Sequence, residues 1–293
     1  MKHTVIYTAD VHGNEGQYRK LVSRAIEISA DSIIIGGDIA PKDLSFDTFI
    51  GEQRAFLEQR LPDLLSPLRD SLPDCRVLLM MSNDDCAANL DMLERGEPGL
   101  YQIIHGKRIA LTEDFDLVGY AYVPITPFGI KDWEKYDLSS VPQGLEEPYL
   151  RRKSANYRLK GFKSAREGWE PFLFTPASER HDSIQKDLEQ ELYRKNPEKT
   201  VYVVHTPPDR TALDQVARGQ HVGSMALRMF IEEEQPYLTL HGHIHETVDV
   251  SGKWGETIGK TLSASPGNYN SKEALAVLEF DVSALSKMRR VIL

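Results

Sequence analysis

The chain has 293 residues, enough to bury a large core and near the upper size that one core serves. Its composition, 41% hydrophobic and 27% charged, is that of an ordinary globular chain. A formal net charge of −9 argues against a protein whose main task is gripping nucleic-acid backbone, although bound divalent cations can still make an acidic protein's site attractive to phosphate.

The elements follow in order. Residues 5–9 form a short apolar run that stops at Asp10. Residues 15–29 carry Leu21, Val22, Ala25 and Ile26 near helical spacing. A second strand is predicted at 32–35, ending on Gly36-Gly37-Asp38. A helix at 48–65 follows, with a stripe of Phe49, Phe56, Leu57, Leu61 and Leu64. A third strand at 77–81 ends on Ser82-Asn83-Asp84-Asp85. Strand alternating with helix is the signature of a largely parallel sheet covered by helices. Short β-like pieces occur at 108–111 and 117–120. Residues 124–176, richer in Pro, Gly, Trp and charge, read as an irregular insertion or cap within one domain spanning 1–293. Regular structure resumes with a helix at 181–195, a strand at 200–204, a helix near 222–234 and a strand at 237–240. Short strands from residue 261 onward close the fold.

Cys75 and Cys86 are too few for a disulfide framework and lack zinc-finger spacing, which suits a reducing compartment. The N-terminus has no signal-type apolar core, and no stretch approaches the ~18 apolar residues of a membrane span. A soluble, cytoplasmic protein is expected.

Candidate ligands collect where strands end. Asp10 and His12 follow the first strand, Asp38 the second and Asn83 the third; His205 follows 200–204, and His241, His243 and His245 follow 237–240. In an open α/β sheet, ligands bind beyond the carboxyl ends of the strands. Five ends are therefore expected to deliver these residues to one edge. Carboxylate and amide oxygens with imidazole nitrogens suit Mn, Fe, Zn, Ni or Co. A carboxylate can bridge two ions ~3.5–4 Å apart, the spacing of two-metal hydrolases.

Asp10-Val-His12, Gly37-Asp38, Asn83, His205 and Gly242-His243-Ile-His245 resemble, in order and rough spacing, the motifs of the calcineurin-like metallophosphoesterases. The resemblance runs from Asp10 to about Gly267. It implies an α+β sandwich, with two mixed β-sheets packed face to face and flanked by helices. It implies two divalent metal ions, manganese first, with Fe, Zn, Ni or Co as alternatives. Asp10, His12 and His245 would hold one ion; Asn83, His205 and His243 would hold the other; Asp38 would bridge them. The implied reaction is hydrolysis of a phosphomonoester or phosphodiester by a metal-activated hydroxide. Competing readings are a nuclease of the same superfamily and a non-catalytic protein-binding scaffold. The acidic charge and the lack of a DNA-binding extension weigh against the first, and the intact ligand positions against the second. The expected partner is a small phosphorylated substrate, not nucleic acid or membrane.

One block departs from the family, which reads Gly-Asn-His where this chain reads Ser82-Asn83-Asp84. The family's His stabilises the transition state or protonates the leaving oxygen. Asp84 beside two cations is expected to have a lowered pKa and to be a poor acid. Substrates with good leaving groups would then be favoured, or another residue such as His221 would supply the proton. Asp84 and His221 are thus the candidate catalytic residues.

Other residues carry two readings. His241 fits a strand-end residue bonded to backbone better than a ligand. Asp85 fits either a group orienting the ligands or a cap. Asn14 could contact phosphate or end a turn. The segment Gln220-His221-Val-Gly-Ser224 precedes a helix whose N-terminus could bind an anion or simply be capped by Ser224. The cluster Arg151-Arg152-Lys153, with Arg158 and Lys160, reads as a solvated face or a phosphate attractor. Tyr122, Phe128, Trp133 and Tyr136 read first as packing of the insertion and second as a stacking surface. Cys86 reads as a buried free thiol.

Overall fold

The computed structural model describes residues 2–96, 99–141, 143–144, 146, 157–269 and 272–293. β1 (Thr4–Thr8) leads through α1 (Glu15–Glu27) to β2 (Ser32–Gly36). A composite helix follows, α2 (Phe49–Ala55) and α3 (Leu61–Ser71), joined by a π-helical turn over Phe56–Arg60. Pro62, which has no N–H to donate back along the helix, lies just beyond that widened turn. The helix runs past the predicted end at 65. β3 (Arg76–Met80), α4 (Leu90–Arg95), β4 (Gln102–Ile103), β5 (Arg108–Ala110) and β6 (Asp116–Tyr120) come next.

Next, β7 (Val123–Pro124) pairs with β8 (Glu134–Lys135), and β9 (Lys160–Ala165) forms a hairpin with β10 (Gly168–Leu173). The segment is therefore more regular than its sequence suggests. The β9 sequence Lys-Gly-Phe-Lys-Ser-Ala has no β-branched residue to announce a strand. The cluster at 151–153 lies outside the described residues.

The predicted helix at 181–195 is three short ones, Pro176–His181, Ile184–Leu188 and Glu191–Arg194. The reason is local. Ser183 caps the middle piece, accepting from the Lys186 N–H. The Ile184 and Gln185 N–H groups donate to the Tyr136 and Asp137 carbonyls instead of continuing a helix. The chain continues through β11 (Thr200–Val204), β12 (Gln215–Val216), β13 (Gln220–His221), helix Met225–Glu234, β14 (Leu238–Leu240), helix Thr247–Ser251, β15 (Gly255–Ile258), β16 (Thr261–Ala264), β17 (Ala276–Asp281) and β18 (Arg289–Ile292).

Two six-stranded mixed sheets result, ordered β18-β17-β1-β2-β3-β4 and β15-β16-β14-β11-β6-β5. In the first, β1, β2, β3 and β4 run parallel and β17 pairs antiparallel to β1. In the second, β6, β11, β14 and β16 run parallel. Ile33, Ile34 and Ile35 of β2 are all fully buried, as expected of a central parallel strand covered on both faces. In β11 alternation is visible: Val201 and Val203 join the core shared with the first sheet, while Tyr202 and Val204 pack outward with Leu227 and Phe230 of helix Met225–Glu234. That shared core holds the sheets face to face. Among the described residues, no helix is long and apolar enough to cross a membrane.

Candidate metal centre

The five ligand-bearing strand ends belong to two sheets, three from the first (β1, β2, β3) and two from the second (β11, β14). The expectation of one open-sheet edge is corrected accordingly: the site lies where the carboxyl ends of two facing sheets meet. Two glycines permit that approach. A Cβ on Gly37 would lie 2.5 Å from His205 Nδ1, and one on Gly242 would lie 2.6 Å from Ala9 Cβ. Asp10, His12, Asp38 and His243 all have φ between 45° and 68°. Non-glycine residues in this region are uncommon and cost on the order of 1–3 kcal/mol each, and they concentrate where function over-determines the backbone.

Hydrogen bonds supply that constraint. Asp10 Oδ1 accepts from the His243 N–H at 3.0 Å, and Asp38 Oδ1 from the Asp84 N–H at 3.0 Å. Buried Asp85 accepts from the backbone N–H groups of Ile39, Ala40 and Ser82 at 2.8–3.1 Å. It thereby clips the loop after β2 to the turn after β3. Gln53 stitches the same loops, donating to the carbonyls of Pro41 and Asp84 and accepting from the Cys86 N–H. Asn268 donates to the carbonyls of Ala9 and Asp10.

The ligand atoms of Asp10, His12, Asp38 and His245 all lie within 4.8 Å of one another. His12 Nε2 is 3.2 Å from His245 Nε2 and 3.8 Å from Asp38 Oδ2. His205 Nε2 stands 3.3 Å from the same Asp38 oxygen and 3.6 Å from Asp10 Oδ1. The His205 and His243 ring centroids are 5.4 Å apart. Asp38 thus faces both the first group and His205.

The donor set fits divalent cations. His205 Nδ1 donates to the Gly36 carbonyl at 2.8 Å, which leaves Nε2 as the atom turned to the site. Asn83 Nδ2 donates to Asp84 at 3.0 Å, which turns Asn83 Oδ1 the other way. His205 Nε2, Asn83 Oδ1 and His12 Nδ1 are buried with no hydrogen-bond partner. Buried polar atoms are rarely left so. Nitrogen and oxygen donors packed around carboxylates suit a cation of intermediate softness.

The protein's own field polarises these groups. Burial pushes His12 and His243 down to about 3, keeping both imidazoles neutral. For His205 burial acts against the charged form, but Asp38 and then Asp10 outweigh it and lift the ring to about 9. Burial resists ionisation of Asp38 too, and His205 overcomes it, holding the carboxyl well below its usual range. Burial first, then the charge of Asp38, push Asp84 up to about 6 against Lys42. The expected lowering of Asp84 rested on neighbouring cations; the protein's own groups act the other way.

Lys42 carries no spacing signature in the sequence. Its Nζ lies 3.2 Å from His12 Nε2 and 3.7 Å from Asp84 Oδ2, at the floor of a cleft of about 400 Å³. Asp38, Asn83, Asp84, His243 and His245 line that floor with it. His221 is not among the described lining residues, although Gln220 and Val222 are. Its Nδ1 is 2.6 Å from buried Asp214 Oδ1. The helix N-terminus beyond it is filled by the protein: Ser224 caps the helix, and Asp137 accepts from the Met225 N–H at 2.7 Å.

The remaining dual readings resolve simply. His241 is fully buried and bonded to the Val204 and Thr206 carbonyls and to Thr239. Asn14 caps α1. Cys86 is a buried free thiol. Trp133 and Tyr136 are buried, and Phe128 is exposed at the cleft.

No known family's profile matches the chain, and no curated protein matches it. Several solved structures share its fold. One aligns over 100% of this chain and 99% of its own at 15% identity, with a TM-score of 0.60. The protein TT1561 of Thermus thermophilus aligns over 99% of both chains at 15% identity, with a TM-score of 0.54. A dimetal phosphatase from Danio rerio aligns over 95% of both at 13% identity, with a TM-score of 0.47. For the first two the likeness is one of fold: the two helix-flanked mixed sheets are an arrangement this chain shares with them.

Proposed function

We propose that this chain is a dinuclear metal-dependent phosphoesterase of the calcineurin-like kind, hydrolysing a phosphomonoester or phosphodiester. The observation that carries the reading is the gathering of Asp10, His12, Asp38 and His245, whose ligand atoms lie within 4.8 Å of one another, with His205 Nε2 3.3 Å from Asp38 Oδ2. Asp10, His12 and His245 are assigned to one ion, Asn83, His205 and His243 to the other, and Asp38 to both. Divalent ions held there, manganese first, would supply a Lewis acid that activates water and neutralises phosphoryl oxygens.

The chain's own residues do the rest. The Gly36 carbonyl fixes the His205 ring, and Asp85 and Gln53 keep the Asp38 and Asn83 loops in register. The Lys42 ammonium lies on the cleft floor, where a phosphoryl oxygen needs positive charge. Asp84 lies beside it and is the better placed of the two candidate catalytic residues, since His221 is committed to Asp214. With a carboxyl at this position, esters whose leaving groups depart as stable anions are favoured.

Turnover of p-nitrophenyl phosphate and its bis ester, followed after chelation and after return of Mn²⁺, tests the proposal. Metal-restored hydrolysis of at least one is expected. Its absence across a broad panel of phosphate esters would contradict it.

A further inference from the structure

The cleft above the metal centre has two unlike halves. Its floor is charged, with Asp38, Lys42, Asn83 and Asp84. One wall, the 124–128 segment with Tyr157, adds a mostly apolar lining, while Gln220 and Glu246 are further polar residues of the cleft. A cleft of about 400 Å³ is in the range that encloses a small organic molecule, not a phosphate group alone. Phe128 is 57% exposed, the most open of the exposed large apolar side chains among the described residues.

The loop that presents Phe128 is held firmly. Thr126 donates from its N–H and its hydroxyl to Glu134, and its hydroxyl accepts from the Phe128 N–H at 3.1 Å. Lys131 Nζ bonds the Thr126 carbonyl at 3.0 Å and Glu134 at 2.7 Å, and both charged side chains are 0–1% exposed. The Arg158 N–H adds a bond to the same carbonyl. Burying an ion pair is costly, and here it secures a surface loop with a ring at its tip. The Thr126 hydroxyl proton is committed to Glu134, so it has none to donate to a polyol. The Trp133 indole N–H donates to the Asp85 carbonyl at 3.0 Å, which fixes the wall relative to the floor.

We propose that Phe128, with Tyr157, forms a subsite for a flat apolar group. The cleft then selects phosphoesters of aryl or arylalkyl alcohols over those of small polar alcohols. The inference rests on the phosphoesterase reading and adds its substrate class. The ring of the substrate lies against Phe128 while the phosphoryl group sits over the Lys42 end of the floor. An offset or edge-on aromatic contact of this kind adds to the burial of the ring itself.

The test uses non-hydrolysable probes, so that leaving-group reactivity plays no part. Affinities of phenylphosphonate and methylphosphonate for the Mn²⁺-loaded full chain are measured by calorimetry, with wild type, Phe128→Ala and Phe128→Trp. Wild type should bind phenylphosphonate about tenfold more tightly, about 1.4 kcal/mol. Phe128→Ala should bring the two probes close to parity, and Phe128→Trp should restore the preference. Methylphosphonate affinity should be the same in all three. Equal binding of the two probes by wild type, or a preference that survives Phe128→Ala, overturns the inference and leaves the phosphoesterase reading standing. Failure of both probes to bind, with no metal-dependent turnover, overturns both.

Discussion

Beneath and along the floor of the cleft, Asp10, Asp38 and Asn83 stand on loops clipped by backbone hydrogen bonds to Asp85, Gln53 and Asn268, with Asp10 and Asp38 in left-handed backbone conformations. On its wall, Phe128 stands on a loop of ordinary conformation, clamped from beneath by the Lys131–Glu134 pair. The floor is held by backbone N–H groups that serve the Asp85 carboxylate and by the neutral side-chain amides of Gln53 and Asn268 that serve backbone carbonyls. The wall is held by the buried Lys131–Glu134 pair, whose members serve each other and the Thr126 loop. The difference suggests a division of labour: the floor sets the chemistry and the wall sets which ester reaches it.

Removing Glu134 should give the largest effect. Glu134→Ala leaves the Lys131 ammonium buried without its counter-charge, a change that costs about 3–5 kcal/mol. Denaturant unfolding should show that loss, while Mn²⁺ affinity stays near wild type. A parallel fall in metal affinity would mean that wall and floor are one unit.

Asp85→Asn should do the reverse. It cannot accept equally from the three N–H groups of Ile39, Ala40 and Ser82, so the Asp38 and Asn83 loops lose register. Groups that orient metal ligands are worth about 10–100-fold in affinity, and Mn²⁺ titration should show a drop in that range. The phenyl-over-methyl preference of residual binding should be unchanged.

The smallest effect is a proton count. Asp38 and Asp10 hold His205 up to about 9, so at pH 7 its imidazole is protonated before metal arrives. A ligand must be deprotonated, so loading should release about one proton from this residue. Metal affinity should therefore rise with pH through neutrality and level off above about 9. Calorimetry in buffers of different ionisation enthalpy reads the release directly, and no net release at pH 7 would contradict the assignment of His205.

The gathering of Asp10, His12, Asp38 and His245 was legible because chemistry and position coincide: Asp and His stood where apolar runs stop. The two-sheet sandwich implied by the family resemblance is the fold observed, but which strands join which sheet was not legible in the residues, since alternation within β11 says only that it has two buried faces. Lys42 was invisible because one lysine in a loop has no pattern; only the fold brings it to His12 and Asp84. The wall was hidden for a similar reason. Pro124, Ile125 and Phe128 are ordinary apolar residues, and what makes them a surface is a clamp between Thr126, Lys131 and Glu134. The helix at 181–195 was overrun because Ser183 reads as an interior residue until Tyr136 and Asp137 take up the following N–H groups.

The central claim is that Asp38 joins two metal positions. Equilibrium dialysis of the chelated full chain against Mn²⁺, with wild type and Asp38→Asn side by side, tests it most directly. The account predicts about two ions per wild-type chain and weakened binding of both in the variant. Saturation at no ions, or wild-type binding by Asp38→Asn, would contradict it.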